Sequence, residues 1–391
     1  AEVEAGLRRT EVVGRHLDVL RTHARSDVDQ LRLQALETTH LLRTSDVPGA
    51  LTTAFAAIET AGVLPGPWPM AGDRERLDRA LDEIARRLAG HRPGDLLASL
   101  PAATAPHVIA TFEVVASMAD AISIRDSALL HLLAAEVSLL VLDHGQHPAG
   151  GTLVVCLTDA LLNTDTRGID VADLGAAGLA MATPHDYTRL RSDVSYLRFI
   201  DSWMAPAADF PDLAQACAAR CEAAHDSYIG GFARNLGILG KFCLGRSMSD
   251  VWDGWDQLAR HSPAFAPGPV DLITLPLAEA AKAIAGLTPA LTTFDPAFDT
   301  AAYVEYAAAV PLLQTPLRSA RATLYALAGR HADVLDQLDH PCFTEAPVLQ
   351  TVLPNLFWKG LAHAELATDS PGDEHRAGLD AAIAELRDWG E

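Results

Sequence analysis

Lysine is almost missing from this chain of 391 residues: Lys241, Lys282 and Lys359 are the only three. Arginine supplies the rest of the positive charge, and acids outnumber bases to a net charge of -21. Such an excess argues against nucleic acid or an anionic membrane surface as the main partner, because both need a basic face. It leaves room for a small anion held by a local arginine cluster. Cysteine is scarce too. Cys156, Cys217, Cys221, Cys243 and Cys342 are odd in number, which in a long chain argues against a disulfide framework. Cys217 and Cys221 share a helix face at i,i+4, but no matching His or Cys pair accompanies them, so zinc is not indicated. The opening "AEVEAGLRRTEVV" has no signal-peptide apolar core. The longest apolar run, "ALLHLLAAEVSLLVL", is broken by His131 and Glu136 and is too short to span a bilayer. The expectation is a soluble, cytoplasmic protein with reduced thiols.

Cofactor motifs are absent as well. There is no G-x-x-x-x-G-K-[ST] phosphate loop, no G-x-G-x-x-G after a strand, no H-E-x-x-H and no G-x-S-x-G. "GILGKF" at 237–242 lacks both the spacing and the strand, and no lysine sits in a pyridoxal context. Nucleotide, nicotinamide, pyridoxal and zinc chemistry are therefore unsupported. The reading is no cofactor and no metal, so any enzyme chemistry here works with side chains alone.

What the sequence does have is helical period. With 49% apolar and 21% charged residues the chain is globular. "DVDQLRLQALETTHLLRT" sets its leucines largely on one stripe. "SDVPGALTTAFAAIETAGV" opens with a capping signature, Ser45 or Asp46 and then Pro48 in the first turn. Further helices are predicted at about 72–90, 104–119, 126–144, 149–163, 168–182, 186–204, 209–226, 227–244, 248–260, 271–286, 298–311, 316–329, 331–339, 346–367 and 373–387. The breaks are short and rich in Gly and Pro, as in "HRPGD", "HGQHPAGG" and "DHPCFTEAP". "GTLVVCL", the nearest approach to a strand, reads as a buried helix start. The fold class is all-α. "YALAGRHADVLDQL" resembles the turn of a tetratricopeptide repeat, with Ala326, Gly329 and Ala332 at the close contacts. Over about 120–367 the pattern resembles the degenerate repeat scaffold of bacterial multidomain ATPases and signalling kinases, which implies a tetratricopeptide-like helical-hairpin superhelix with a concave groove. Three parts follow: a helical region 1–119, a helical-repeat domain 120–386 and a tail 387–391.

Several polar constellations are candidates for chemistry. "YIGGFARNLGILGKFCLG" puts Arg234 and Lys241 seven apart on one face, with Tyr228 roughly in line, beside glycines that let a ligand approach. "RLRSDVSYLRFIDSW" puts Arg191 and Arg198 on one face, near Ser195 and Asp201, while Tyr196 and Trp203 stripe another. "TPLRSARATLY" offers Arg318, Arg321 and Tyr325 as a ligand wall or a solvated charge face. Arg125, Asp126, His131 and Glu136 occur in one stretch, where His131 reads as a satisfied core histidine. Asp46 is explained as a helix cap and is also a possible general base.

The last six residues are "LRDWGE". Asp388, Trp389, Gly390 and Glu391 match the last four positions of the Glu-Asp-Trp-Gly-Glu ending of the small amino-group carrier proteins, and Arg387 departs from the first. Four specified residues at a fixed position arise by chance about once in a hundred thousand chains. In those carriers the terminal glutamate side chain holds a biosynthetic intermediate through an amide to its amino group. Their metal-binding cysteine pairs are absent here, so this chain is not itself a carrier. It reads as a processing enzyme joined to a carrier-type tail, with Trp389 as the anchor and Glu391 presenting the substrate.

The ligase, kinase, reductase, aminotransferase and zinc hydrolase that usually serve such carriers each need a motif that is missing. By the tail and by elimination the chain resembles the aziridine (azabicycle) ring-forming enzymes of azinomycin-type biosynthesis. The resemblance implies intramolecular attack of an amine on the adjacent carbon with sulfate leaving. It implies as partners an amino-group carrier protein and a sulfotransferase that supplies the ester. Asp46, Asp126 or Asp201 then serves as base, and Arg198, Arg234, Lys241, Arg318 or Arg321, with Tyr228, grips the substrate. Sequence does not choose among them. The rival expectation is a non-enzymatic repeat scaffold that binds a peptide or partner protein in its groove.

Overall fold

The computed structural model describes residues 10–388 apart from 45, 67, 69–72, 183–185, 262–271, 310, 346–348 and 370–372. Among the described residues the chain is all-α, and the only β feature is an isolated bridge between Ala102 and Gln146. Contacts divide it into two compact units, Ala1–Ala233 and Arg234–Glu391.

The first unit runs α1 (Thr10–His23), α2 (Asp27–Arg43), α3 (Val47–Ala61), α4 (Arg74–Leu88), α5 (Pro93–Ser99), α6 (Pro106–Arg125), α7 (Ser127–His144), α8 (Pro148–Leu162), α9 (Val171–Ala182), α10 (Asp186–Tyr196) and α11 (Phe210–Ala223), then enters α12 (Ser227–Cys243). Local signals set the boundaries. Ser26 and Asp29 form a reciprocal capping box on α2. The Asp46 carboxylate accepts from Gly49 N at the start of α3, and Gly62 ends that helix at φ 61°. Asp126 caps α7 by accepting from Leu129 N. Two helices were not anticipated. α5 begins where "HRPGD" reads as a break, because Pro93 stands in the first turn, where a proline costs no hydrogen bond. α1 went unread altogether.

α7 and α8 are apolar nearly all round and form the centre of this unit. Leu132, Leu133, Leu153, Leu157 and Leu161 are completely buried, against Phe112, Met118 and Ile122 of α6. Among the described residues α7 is the one helix long and apolar enough to cross a membrane by length and composition, and most of it is buried in the core. Its two polar breaks are partnered: His131 by Asp159, and Glu136 by Arg76 at 2.7 Å. "GTLVVCL" is indeed buried helix, the first half of α8.

The second unit holds the rest of α12, then α13 (Met248–His261), α14 (Leu275–Ile284), α15 (Thr300–Ala309), α16 (Gln314–Leu327), α17 (His331–Leu338), α18 (Leu349–Asp369) and α19 (Asp373–Asp388). Ile238, Val251, Leu258 and Ala281 make one small core, and Ala322, Val334, Leu338 and Ala362 make another. Each helix from α16 to α19 packs against the next.

Candidate functional site

Two buried polar clusters lie in the first unit. In one, α6, α7, α8 and α10 bring together the side chains of Asp120, His131, Asp159 and Arg191. His131 Nε2 donates to Asp159 Oδ2 at 2.8 Å, and Asn163 Nδ2 donates to Asp159 Oδ1 at 2.9 Å. A carboxylate only accepts, so the contact fixes the imidazole proton on Nε2. Arg191 Nη1 donates to Ala116 O at 3.0 Å and lies 3.2 Å from Asp120 Oδ2. That oxygen is buried with no hydrogen-bond donor among the described residues.

α10 then passes into a π-helical turn, Leu197–Asp201. Such turns are rare and often mark functional sites. This one carries Arg198 and Asp201. The Arg198 guanidinium stacks on Phe199 with 4.8 Å to the ring centroid. Burial pulls its pKa below the usual guanidinium value, while Asp159, Cys156 and Asp120 nearby oppose the shift. Among the described residues it makes no hydrogen bond or ion pair through its side chain. Asp201 is half-buried, and burial first, then the charge of Asp193, raises its carboxyl above the ordinary range. Asp193 is itself tied down, by Arg189 Nε at 2.7 Å and Arg220 Nη2 at 3.2 Å. Cys156, beside Ser195, is pushed up to about 12 chiefly by burial, so it is not a nucleophile at neutral pH.

The second cluster joins α2 to the start of α12. Arg43 Nη2 donates to Asp226 Oδ2 at 3.1 Å, and Asp226 Oδ1 accepts from Ile229 N at 3.1 Å. The guanidinium carbon lies 5.7 Å from the Tyr228 ring centroid, and Phe232 meets that ring edge-on. Asp46 follows Arg43 by three residues and is exposed.

The sequence-derived candidates distribute as follows. Asp46 and Asp126 both act as helix caps. Arg198 and Asp201 share the π turn, and Tyr228 belongs to the Arg43 cluster. Arg234 and Lys241 on α12 and Arg318 and Arg321 on α16 are half-buried residues of the second unit. Trp389, Gly390 and Glu391, the Asp388 side chain, and the side chains of Arg125 and Trp203 lie outside the described residues. His131 is a satisfied core histidine. Arg43, Asp120, Asp159 and Asp226 were missed. For Asp226 a signal existed, an aspartate three residues before Ile229 at N-cap spacing. For the others, the partner lies on another helix, beyond the reach of local spacing. No metal-binding group of three or more side chains occurs among the described residues.

The fold and these clusters define an all-α protein with buried arginine–carboxylate groups. The chain matches no family model, and no curated protein or solved structure is similar to it.

Proposed function

We propose that this protein is a cofactor-free ring-forming enzyme acting on an amino acid bound to an amino-group carrier protein. The substrate amine attacks its neighbouring carbon; the C–N bond of an aziridine forms as the C–O bond to sulfate breaks. The amine proton passes to a carboxylate, and the electron pair leaves with the sulfate. The observation that carries this reading is that Arg198 and Asp201 stand on one π turn, three residues apart. A guanidinium with no hydrogen-bonded acid among the described residues suits an oxyanion. A carboxyl raised above its ordinary range is better matched to taking a proton near neutral pH. The sequence "DWGE" adds the link to the carrier, and a sulfotransferase supplies the ester.

The finer architecture belongs to the same proposal. The unbroken packing of α16 on α17, α17 on α18 and α18 on α19 supports tetratricopeptide-like hairpins in the second unit. The working location is the cytoplasm, where the five free cysteines stay reduced.

The test is to incubate the protein with a sulfated, carrier-bound amino acid and follow sulfate release by mass. Turnover is expected, with a loss of about 100-fold or more in Asp201→Asn and Arg198→Gln. Release that neither substitution changes overturns the assignment of these residues. A partner-binding scaffold is the second reading, favoured by Leu353 and Phe357, which stand 45% and 55% exposed one turn apart on α18. Carrier binding without any turnover selects it.

A further inference from the structure

The last two helices meet through a pair of histidines. His363 of α18 and His375 of α19 face each other Nδ1 to Nδ1 at 3.4 Å, with ring centroids 5.6 Å apart and planes tilted by 47°. His363 is buried, at 8% exposure. Its ring lies against α19 where Gly378 leaves room: a Cβ at that position would sit 2.4 Å from both His363 Cε1 and Nε2. The ring therefore has little freedom to turn away from His375. A contact between two ring nitrogens needs one proton at most, since one nitrogen must accept what the other donates. With both rings fully protonated, both Nδ1–H groups point at each other and two imidazolium charges face one another with ring centroids 5.6 Å apart.

We infer that the His363–His375 contact makes the docking of α19 on α18 sensitive to protons, so that acidification below neutral pH loosens the last helix. The groups facing the pair are few. Lys359, one turn before His363 on the same helix, is held by Asp339 at 2.6 Å. Glu374 flanks His375 on α19. Burial first, then Lys359 and His375, keeps His363 from protonating as readily as a free histidine, while Asp339 and Glu374 oppose this. The sign follows from linkage. The undocked or unfolded chain binds a proton at the ordinary value of 6.5, and the docked ring binds it only at lower pH. Docking is therefore at full strength above the ordinary histidine range and weakens as pH falls through it.

Hydrogen exchange on the full chain tests this, read as protection factors at pH 7.5 and 5.5 so that intrinsic exchange rates divide out. Protection in α19 is expected to fall several-fold, up to about tenfold for each unit by which the docked pKa sits low. α16 and α17 serve as the internal reference and are expected to change less. His375→Gln and, separately, His363→Phe are expected to flatten the α19 response. Equal α19 protection at both pH values overturns the inference, and so does an unchanged response in both variants. Titration of the His363 imidazole by NMR reads the same coupling without reference to fold stability: its midpoint rises in His375→Gln if the pair is coupled, and stays put if it is not.

Discussion

Arg43 and Asp226, 183 positions apart, meet at 3.1 Å with their side chains only 2% and 4% exposed. The pair links the end of α2 to the start of α12. The carboxylate serves two partners at once, the guanidinium and the Ile229 amide. A charge this deep is tolerated because its partner is equally deep, and removing Asp226 takes from the guanidinium the carboxylate that balances its charge.

The first prediction is therefore asymmetric. Asp226→Ala takes the buried carboxylate from Arg43 and removes the acceptor of the Ile229 amide, and about 3–5 kcal/mol of stability is expected to be lost. Changing Arg43 to Met and Asp226 to Leu together should cost less than Asp226→Ala alone. Urea unfolding midpoints of the two variants decide it. A double variant weaker than the single would show that the two residues do not act as a pair.

This pair also shows what is legible in the sequence. Helices read well because each is announced locally: Pro48 and Asp46 for α3, Asp126 for α7, the apolar runs of α7 and α8. The candidate site read only in part. Spacing put Arg198 and Asp201 near one line, yet 186–204 read as one continuous helix, whereas a π turn occupies Leu197–Asp201. One extra residue per turn leaves no mark in a 3.6-residue pattern. Nor does spacing reveal that Asp120 of α6 and Asp159 of α8 converge near Arg198, because helix periodicity specifies faces and not partners.

Asp201 is the subject of the second prediction. Its folded-state pKa lies above the ordinary 3.8, so the native state holds the proton more tightly than the unfolded chain. Stability from this group is present at low pH and is lost as pH rises through the folded value. Above the folded value the ionised carboxylate is a burden, so Asp201→Asn should raise the melting temperature there while, on the proposed reaction, it costs about 100-fold or more in turnover. Such opposition is the signature of a functional rather than a structural residue. A lower melting temperature for Asp201→Asn would count against the raised pKa.

A third prediction contrasts two glycines. Gly178 of α9 and Gly151 of α8 let two backbones touch: a Cβ on Gly178 would lie 2.8 Å from Gly151 O and 3.0 Å from Val155 N. Backbone atoms cannot yield as side-chain tips do, so Gly178→Ala should destabilise by about 1–3 kcal/mol. Gly14, inside α1, has open space where a Cβ would stand, with nothing within 4 Å. There the same change gains helix propensity, and a stabilisation of up to about 1 kcal/mol is expected. Calorimetric melting of both variants should show shifts of opposite sign.

The thiols supply the fourth. All five cysteines are free. Burial pushes Cys156 and Cys243 up to about 12 each, so at pH 8 almost none of either is thiolate. Cys217 is held low, first by a hydrogen bond from Cys221, whose own pKa is raised in turn, but both sulfurs are buried on α11. The two effects compete at Cys217: a lowered pKa favours reaction and enclosure prevents it. Enclosure should win, because a maleimide must reach sulfur before thiolate content matters. Native labelling of the buried Cys156, Cys217, Cys221 and Cys342 at pH 8 should therefore proceed only as fast as local opening, with Cys217 ahead of Cys156, and urea should expose all five at once. Peptide mapping of the labelled protein gives the order. Rapid modification of Cys156 in the folded state would mean that the cluster around Arg198 is open to solvent, and that its electrostatics are weaker than burial implies.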